Sequence, residues 1–182
     1  TILGQFTKSL SYDELNTNKQ VKIQNNNDRT IFGNIVHQYF SPLEVIQKTV
    51  KEISIRKQYF VERNGKWIES VEAKMGERIK VKITIVNDNP LQYVHIKDAR
   101  PSGVEPIYQP SGYKYWQGYY FTSKDASTNY FYDNLKKGLT ELEYEVKANN
   151  VGVFNSGITT IECMYEPSVS ARSENEVLKI VP

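Results

Sequence analysis

The side chains most able to do chemistry in this sequence are one cysteine, Cys163, and two histidines, His37 and His95. A cysteine beside a histidine can form a nucleophile–base pair, because the imidazole takes the thiol proton. The surroundings argue against it. Cys163 stands between Ile161 and Tyr165 in an alternating run, where a cysteine behaves as a small buried hydrophobe rather than an accessible thiolate. His95 falls on the polar phase of its own run and reads as a solvated surface residue. His37, beside Gln38-Tyr39-Phe40, reads as packed on an aromatic ring. One cysteine and two histidines supply neither a disulfide framework within the chain nor a zinc site. The carboxylates are scattered along strand faces, with no pair placed for acid–base work. Gly-rich phosphate loops, His-Glu-x-x-His and Gly-x-Ser-x-Gly do not occur. The expectation is a chain that is not an enzyme and carries no metal or cofactor.

The conspicuous feature is aromatic. Tyr108, Tyr113, Tyr115, Trp116, Tyr119, Tyr120 and Phe121 crowd one stretch, interleaved with Gly112, Lys114, Gln117 and Gly118. Such rings can stack on sugars or form a protein-binding patch. Alternation along Tyr115-Trp116-Gln117 sends some of them into a core and leaves the others at a rim. Tyr113, Tyr115, Trp116, Tyr119 and Tyr120 are the candidate interface residues.

The elements that must position these groups are strands. In Arg78 to Val86, Ile79, Val81, Ile83 and Ile85 alternate with Arg78, Lys80, Lys82 and Thr84, giving one apolar and one charged face. Asn87-Asp88-Asn89-Pro90 ends it. Leu91 to Ala99 follows, with Val94 and Ile96 opposite His95 and Lys97, and Pro101-Ser102-Gly103 breaks it. Leu142, Tyr144, Val146 and Ala148 alternate with charged residues; Glu, Leu and Lys favour helix, but period two and the Asn149-Asn150-Val151-Gly152 turn decide for a strand. Further strands are expected over Ile31–Phe40, Ile53–Val61, Lys66–Val71, Tyr115–Phe121, Tyr130–Tyr132, Ile158–Tyr165 and Val177–Val181. Asn64-Gly65 marks a hairpin. Leu43 to Lys51 reads as a linker or a single turn. The fold expected is an all-β antiparallel sandwich of immunoglobulin or fibronectin type. Asn-rich loops before the seam at residues 41–50 assign 1–46 to the tail of a preceding β domain or to added edge strands, and 47–182 to one whole sandwich.

Composition sets the outer bounds. The chain has 182 residues, 23 Lys+Arg against 21 Asp+Glu and a formal charge of +2, too balanced for nucleic-acid binding. A mean hydropathy of −0.55, with no apolar run of about 20 residues, leaves no candidate for a membrane-spanning helix. The chain opens Thr-Ile-Leu-Gly without an initiator Met, which reads as an excised or processed fragment.

Three stretches resemble the C-terminal end of bacterial alpha-2-macroglobulin family proteins. The first is Ile31 to Phe40, a strand ending in an aromatic pair. The second is Tyr93-Val94-His95-Ile96-Lys97-Asp98-Ala99-Arg100-Pro101-Ser102-Gly103-Val104-Glu105-Pro106, similar to the family's Val-x-Val-x-Asp-x-x-Pro-x-Gly-x-Glu-Pro segment. The third runs from Gly138 through Leu142-Glu143-Tyr144 to Glu162-Cys163-Met164-Tyr165-Glu166-Pro167 and Arg172-Ser173. Their order and spacing carry the resemblance across most of residues 31–173.

The resemblance implies a macroglobulin-like β-sandwich, the terminal domain of a large periplasmic or cell-envelope endopeptidase inhibitor that traps proteases. In that family a cut bait segment triggers rearrangement, and an internal thioester reacts with the attacker. The thioester joins a Cys to a Gln three residues later. Here Cys163 is followed by Met164, Tyr165 and Glu166, so the bond is not on this chain. The resemblance gives Met164 and Tyr165 the role of packing over the thioester of a neighbouring domain and excluding water. Successive strand residues face opposite ways, so these two can share a partner only where the strand ends or bulges, as Pro167 favours. The expected partners are neighbouring domains of the parent chain and, through the whole protein, target proteases. The competing expectation is a carbohydrate- or surface-binding sandwich that uses the Tyr/Trp-rich face.

Overall fold

The computed structural model describes residues 8–11, 13–14, 22–26, 28–33, 35, 40–49, 52–107 and 110–182. The chain divides into two compact units, Thr1–Tyr39 and Phe40–Pro182. In the first, a helical turn at Asp13–Glu14 is capped reciprocally. The Ser11 backbone N–H and hydroxyl donate to Glu14 Oε2 at 2.8 and 3.0 Å, and the Glu14 N–H donates to Ser11 Oγ. The expected strand over Ile31–Phe40 is not formed by its described members, Ile31, Phe32, Gly33, Ile35 and Phe40. His37 and its neighbours lie outside the described residues.

The second unit opens with a single 3-10 turn, Leu43–Val45, and then runs as strands: β1 (Ile53–Arg63), β2 (Lys66–Glu69), β3 (Glu72–Lys74), β4 (Arg78–Asn87), β5 (Leu91–Ala99), β6 (Val104–Pro106), β7 (Gly112–Lys114), β8 (Tyr119–Lys124), β9 (Ser127–Leu135), β10 (Gly138–Ala148), β11 (Gly152–Asn155), β12 (Thr159–Cys163), β13 (Glu166–Arg172) and β14 (Val177–Val181). They form a five-stranded sheet, β2-β1-β4-β10-β6, and a six-stranded sheet, β13-β12-β5-β9-β8-β7, with a small third sheet, β11-β14-β3. Every pairing is antiparallel except β14 with β3. This is the all-β sandwich that the alternation predicts.

Period-two patterning decides which side chains meet between the sheets. Ile79, Val81, Ile83 and Ile85 of β4 are fully buried beside Leu142, Tyr144 and Val146 of β10 and Ile53, Ile55, Tyr59 and Val61 of β1. From the other sheet come Val94 and Ile96, Phe121, Tyr130 and Tyr132, and Ile161. The outer face of the five-stranded sheet carries a ladder of opposite charges: Lys80–Glu143 at 3.1 Å, Lys82–Glu141 at 2.7 Å and Arg78–Glu62 at 3.0 Å. Cross-strand pairs of this kind suit a face turned to water.

The Asn64-Gly65 hairpin forms as read. Both residues have positive φ, 53° and 71°, which lets two residues reverse the chain between β1 and β2. The strand expected from Tyr115 begins only at Tyr119, because 115–118 form the turn into β8. The strand expected to reach Tyr165 stops at Cys163. Residues 47–49 lie along β13, where the Thr49 N–H donates to the Arg172 carbonyl at 3.0 Å and Arg172 Nε donates to the Gln47 carbonyl. That contact covers an otherwise open sheet edge.

Candidate functional site

Two places in the second unit gather side chains beyond ordinary packing. The first is inside the sandwich. Lys57 lies on the apolar phase of β1, between Ile55 and Tyr59, and Asp98 lies on the apolar phase of β5, after Val94 and Ile96. Lys57 Nζ is 2.8 Å from Asp98 Oδ1 and also donates to the carbonyls of Ala99 at 2.7 Å and Ser156 at 3.0 Å. The Tyr144 hydroxyl donates to Asp98 Oδ2 at 2.5 Å, and the Thr159 hydroxyl donates to Oδ1 at 2.7 Å. Every lysine proton therefore has an acceptor, and each carboxylate oxygen has a donor. Burial alone would lower the Lys57 pKa. The facing Asp98 carboxylate and the neighbouring Tyr59 together outweigh it, so the ammonium is held above its usual range. Burial pushes the Tyr144 hydroxyl well above its usual range, and the Asp98 charge adds to it. This is an ionised pair tying one sheet to the other, and a lysine so held is a poor nucleophile.

Arg100 extends the cluster. Its guanidinium donates to the Asp125 carbonyl, Ser123 Oγ and Thr128 Oγ1 at 3.0–3.2 Å, and lies 5.9 Å from the centre of the Tyr144 ring. Asp98 and Arg100 both belong to the Tyr93–Pro106 segment, so that segment owes part of its composition to stitching the core. Lys57, Tyr144 and Thr159 were not singled out in the sequence. The available signal was one charge on an apolar phase in each of two strands, with opposite signs.

The second place is one end of the six-stranded sheet. Cys163 pairs with Val94, Val94 with Tyr132, Tyr132 with Tyr119, and Tyr119 with Lys114. One row thus crosses the sheet, and the residues just beyond it share an end. Met164 and Tyr165 are the two residues of the β12–β13 turn, so they stand side by side where strand alternation no longer separates them. Met164 is 45% exposed and Tyr165 81% exposed. Beside them a cleft of about 510 Å³ is lined by Pro90, Leu91, Gln92, Tyr93, Cys163 and Val169, among others.

The aromatic run reaches the same end through the β7–β8 turn. Tyr115 and Trp116 are at its tip, 83% and 99% exposed, and Tyr113 faces Tyr120 across the hairpin, both partly exposed. Tyr119 takes the inner phase with Phe121 and packs on Tyr130 and Tyr132, with ring centres 5.3 and 5.2 Å apart. Alternation thus removes it from the outward candidates. Tyr113 and Tyr115 meet edge to face at 73°, an angle that gives that pair no flat platform for a sugar ring. Tyr108 lies outside the described residues.

Cys163 and His95 do not meet as a nucleophile and base. Cys163 faces the core and burial pushes its thiol pKa up, whereas His95 pairs across the ladder with Glu162 on the opposite face. His95 is less solvated than its phase suggests. Its ring stacks on Phe131 at 4.5 Å and hydrogen-bonds Asn129 at 3.0 Å. Among the described residues no cluster of His, Cys, Asp and Glu could hold a metal ion, and no helix is long and apolar enough to cross a membrane.

Comparison with known proteins identifies the family. The family model of the bacterial alpha-2-macroglobulin MG10 domain matches residues 53–168, from β1 into β13. The chain belongs to that bacterial alpha-2-macroglobulin family. It is 24% identical over 166 residues to the alpha-2-macroglobulin of Rickettsia conorii, with 85% of this chain and 9% of that protein covered. The fold is similar to native Escherichia coli alpha-2-macroglobulin from domain MG7 to the C-terminus, with a TM-score of 0.64 at 17% identity over 78% of this chain and 25% of that one. It is also similar to Salmonella alpha-2-macroglobulin reacted with methylamine, with a TM-score of 0.63 at 19% identity over 75% of this chain and 10% of that one. This macroglobulin chain therefore spans about a tenth of the curated relative it matches.

Proposed function

We propose that this chain is a non-enzymatic terminal domain of an alpha-2-macroglobulin-like endopeptidase inhibitor, a protease trap of the periplasm or cell envelope. Its part is to dock through the Met164–Tyr165 turn on the thioester-bearing domain of the same parent and keep water from the thioester. The observation that carries the reading is the pairing of a flexible thioether and a rigid ring in one exposed two-residue turn. Met adapts to an irregular partner and Tyr supplies a broad face, a combination suited to contact rather than to a solvated loop. Family membership supplies the larger frame, and target proteases are partners of the whole protein.

The Tyr115–Trp116 turn lies beyond the same row of the six-stranded sheet, about four strand spacings or ~19 Å from the β12–β13 turn. With Tyr113 and Tyr120 it forms the outer part of the proposed docking rim. The Tyr113–Tyr115 edge-to-face pair weighs against a carbohydrate platform there.

The test is the rate at which methylamine consumes the parent's thioester. Met164→Ala and Tyr165→Ala should speed it by about tenfold or more, the equivalent of ~1.4 kcal/mol of lost shielding. Unchanged rates in a parent that carries the thioester would sink the shielding role.

A further inference from the structure

Among the described residues, Asn64 and Tyr93 are the non-glycine residues with positive φ. Asn64 sits in a two-residue hairpin, where that conformation is normal. Tyr93, at φ 50°, lies within β5, where a bulky side chain in the left-handed region is a true outlier. Strain of this kind persists only where the surroundings over-determine it.

The distortion is confined. Gln92 pairs with Asn134 and Val94 with Tyr132 in one unbroken register, while Tyr93 itself is not paired. Leu91 and Val94, three residues apart, are both buried, as are their partners Leu135 and Tyr132, and Tyr93 is left 46% exposed beside the β12–β13 turn. Two contacts reach that turn. The Tyr93 carbonyl accepts the Met164 N–H at 2.9 Å, and the Tyr93 ring meets the Tyr165 ring edge-on at 90°, with centres 5.0 Å apart. Tyr165 lines the mouth of the same cleft as Leu91 and Val169, together with Gln92 and Glu166. A ring 81% exposed at the mouth of that cleft gains by folding further down against Leu91 and Val169. The Tyr93 ring stands against that movement.

We propose that Tyr93 is a positioning residue that props Tyr165 in its projecting form and fixes the backbone of Met164, so that both side chains are presented to the docking partner. This rests on reading the turn as the docking point. Tyr93→Gly removes the ring while accepting the same φ without strain, so relief of strain offsets the added freedom of the unfolded glycine and the domain should stay folded with a Tm near the wild type. Tyr93→Phe keeps the ring.

The experiment is hydrogen–deuterium exchange over residues 160–168, comparing the full-length parent with the 182-residue chain for wild type, Tyr93→Phe and Tyr93→Gly. Exchange at Met164–Glu166 should be slowed about tenfold or more in the wild-type and Tyr93→Phe parents, and less than about twofold in the Tyr93→Gly parent. In the 182-residue Tyr93→Gly chain, nuclear Overhauser contacts should appear between the Tyr165 ring and the methyls of Leu91 and Val169. A wild-type parent with no slowing overturns the docking reading and the presentation built on it. Slowing that survives in Tyr93→Gly overturns the role of Tyr93 alone, as does a Tyr93→Gly chain without the new ring contacts.

Discussion

Lys57 and Asp98 stand 2.8 Å apart between two sheets, the lysine on β1 and the aspartate on β5, and both are almost wholly removed from water. Desolvating two charges is costly, and here the cost is offset by the full set of hydrogen bonds around each. Removing one partner strands the other. Asp98→Ala should destabilise the domain by about 3–5 kcal/mol in urea unfolding. In the double variant Lys57→Met/Asp98→Ala the loss should fall short of the sum of the single losses by ~1–3 kcal/mol. An additive double variant would mean that the pair is not coupled.

Lys57 and Tyr144 of that cluster, with the buried Tyr130 of the neighbouring core, set the alkaline limit. Lys57 titrates above its ordinary 10.5, and Tyr130 and Tyr144 titrate well above 10.0, so the folded state holds these protons after the unfolded state has released them. The sign follows: the stabilisation is complete below about pH 10 and drains as pH rises toward the folded pKa values. Unfolding free energy measured from pH 8 to 11.5 should be level at first and then fall. Absorbance at 295 nm should show Tyr130 and Tyr144 ionising only as the fold is lost. A stability that climbs above pH 10 would contradict the assignment.

Gly157 holds the loop that supplies the Ser156 carbonyl to Lys57. Its φ is +70°, and a β-carbon there would lie 2.6 Å from the Ala99 β-carbon and 3.1 Å from the Ala99 carbonyl oxygen. Gly157→Ala should cost about 1–3 kcal/mol through backbone strain and displacement of β5, and thermal unfolding reads it directly. Gly65→Ala has the same sign of φ but open space around it, so it should cost less.

Met164 and Tyr165 contribute little to the stability of the domain itself. Their side chains project from a turn, so Met164→Ala and Tyr165→Ala should shift the unfolding free energy by less than about 0.5 kcal/mol. A loss of several kcal/mol would recast the turn as a core element and remove the reason for its exposure.

Cys163 is the chain's single thiol, buried and with its pKa pushed up by that burial. Both effects keep the thiolate scarce. Reaction with a disulfide reagent at pH 8 should run at least about tenfold slower in the folded chain than in urea. Equal rates would show the β12 end to be open.

The regular part of this fold was legible in the sequence because alternation is a local property. β4, β5 and β14 lie where Ile79-x-Val81-x-Ile83, Leu91 to Ala99 and Val177 to Val181 put them, and Cys163 faces inward as its phase requires. The short strands β3, β6, β7, β11 and β13 were not legible. None of them buries more than one side chain, so no apolar alternation shows, whereas the equally short β14 buries Leu178 and Ile180; and partners such as β14 for β3 and β10 for β6 are remote in sequence. The phase of Lys57 and of Asp98 placed each charge among apolar neighbours. Only the packing of sheet on sheet decided that the two cancel, because the contact joins residues 41 positions apart on strands that do not pair. Tyr93 is the other case. Its phase, shared with His95, already points it outward; its left-handed φ and its edge-on contact with Tyr165 are visible only in the folded chain, because that contact joins β5 to a turn remote in sequence.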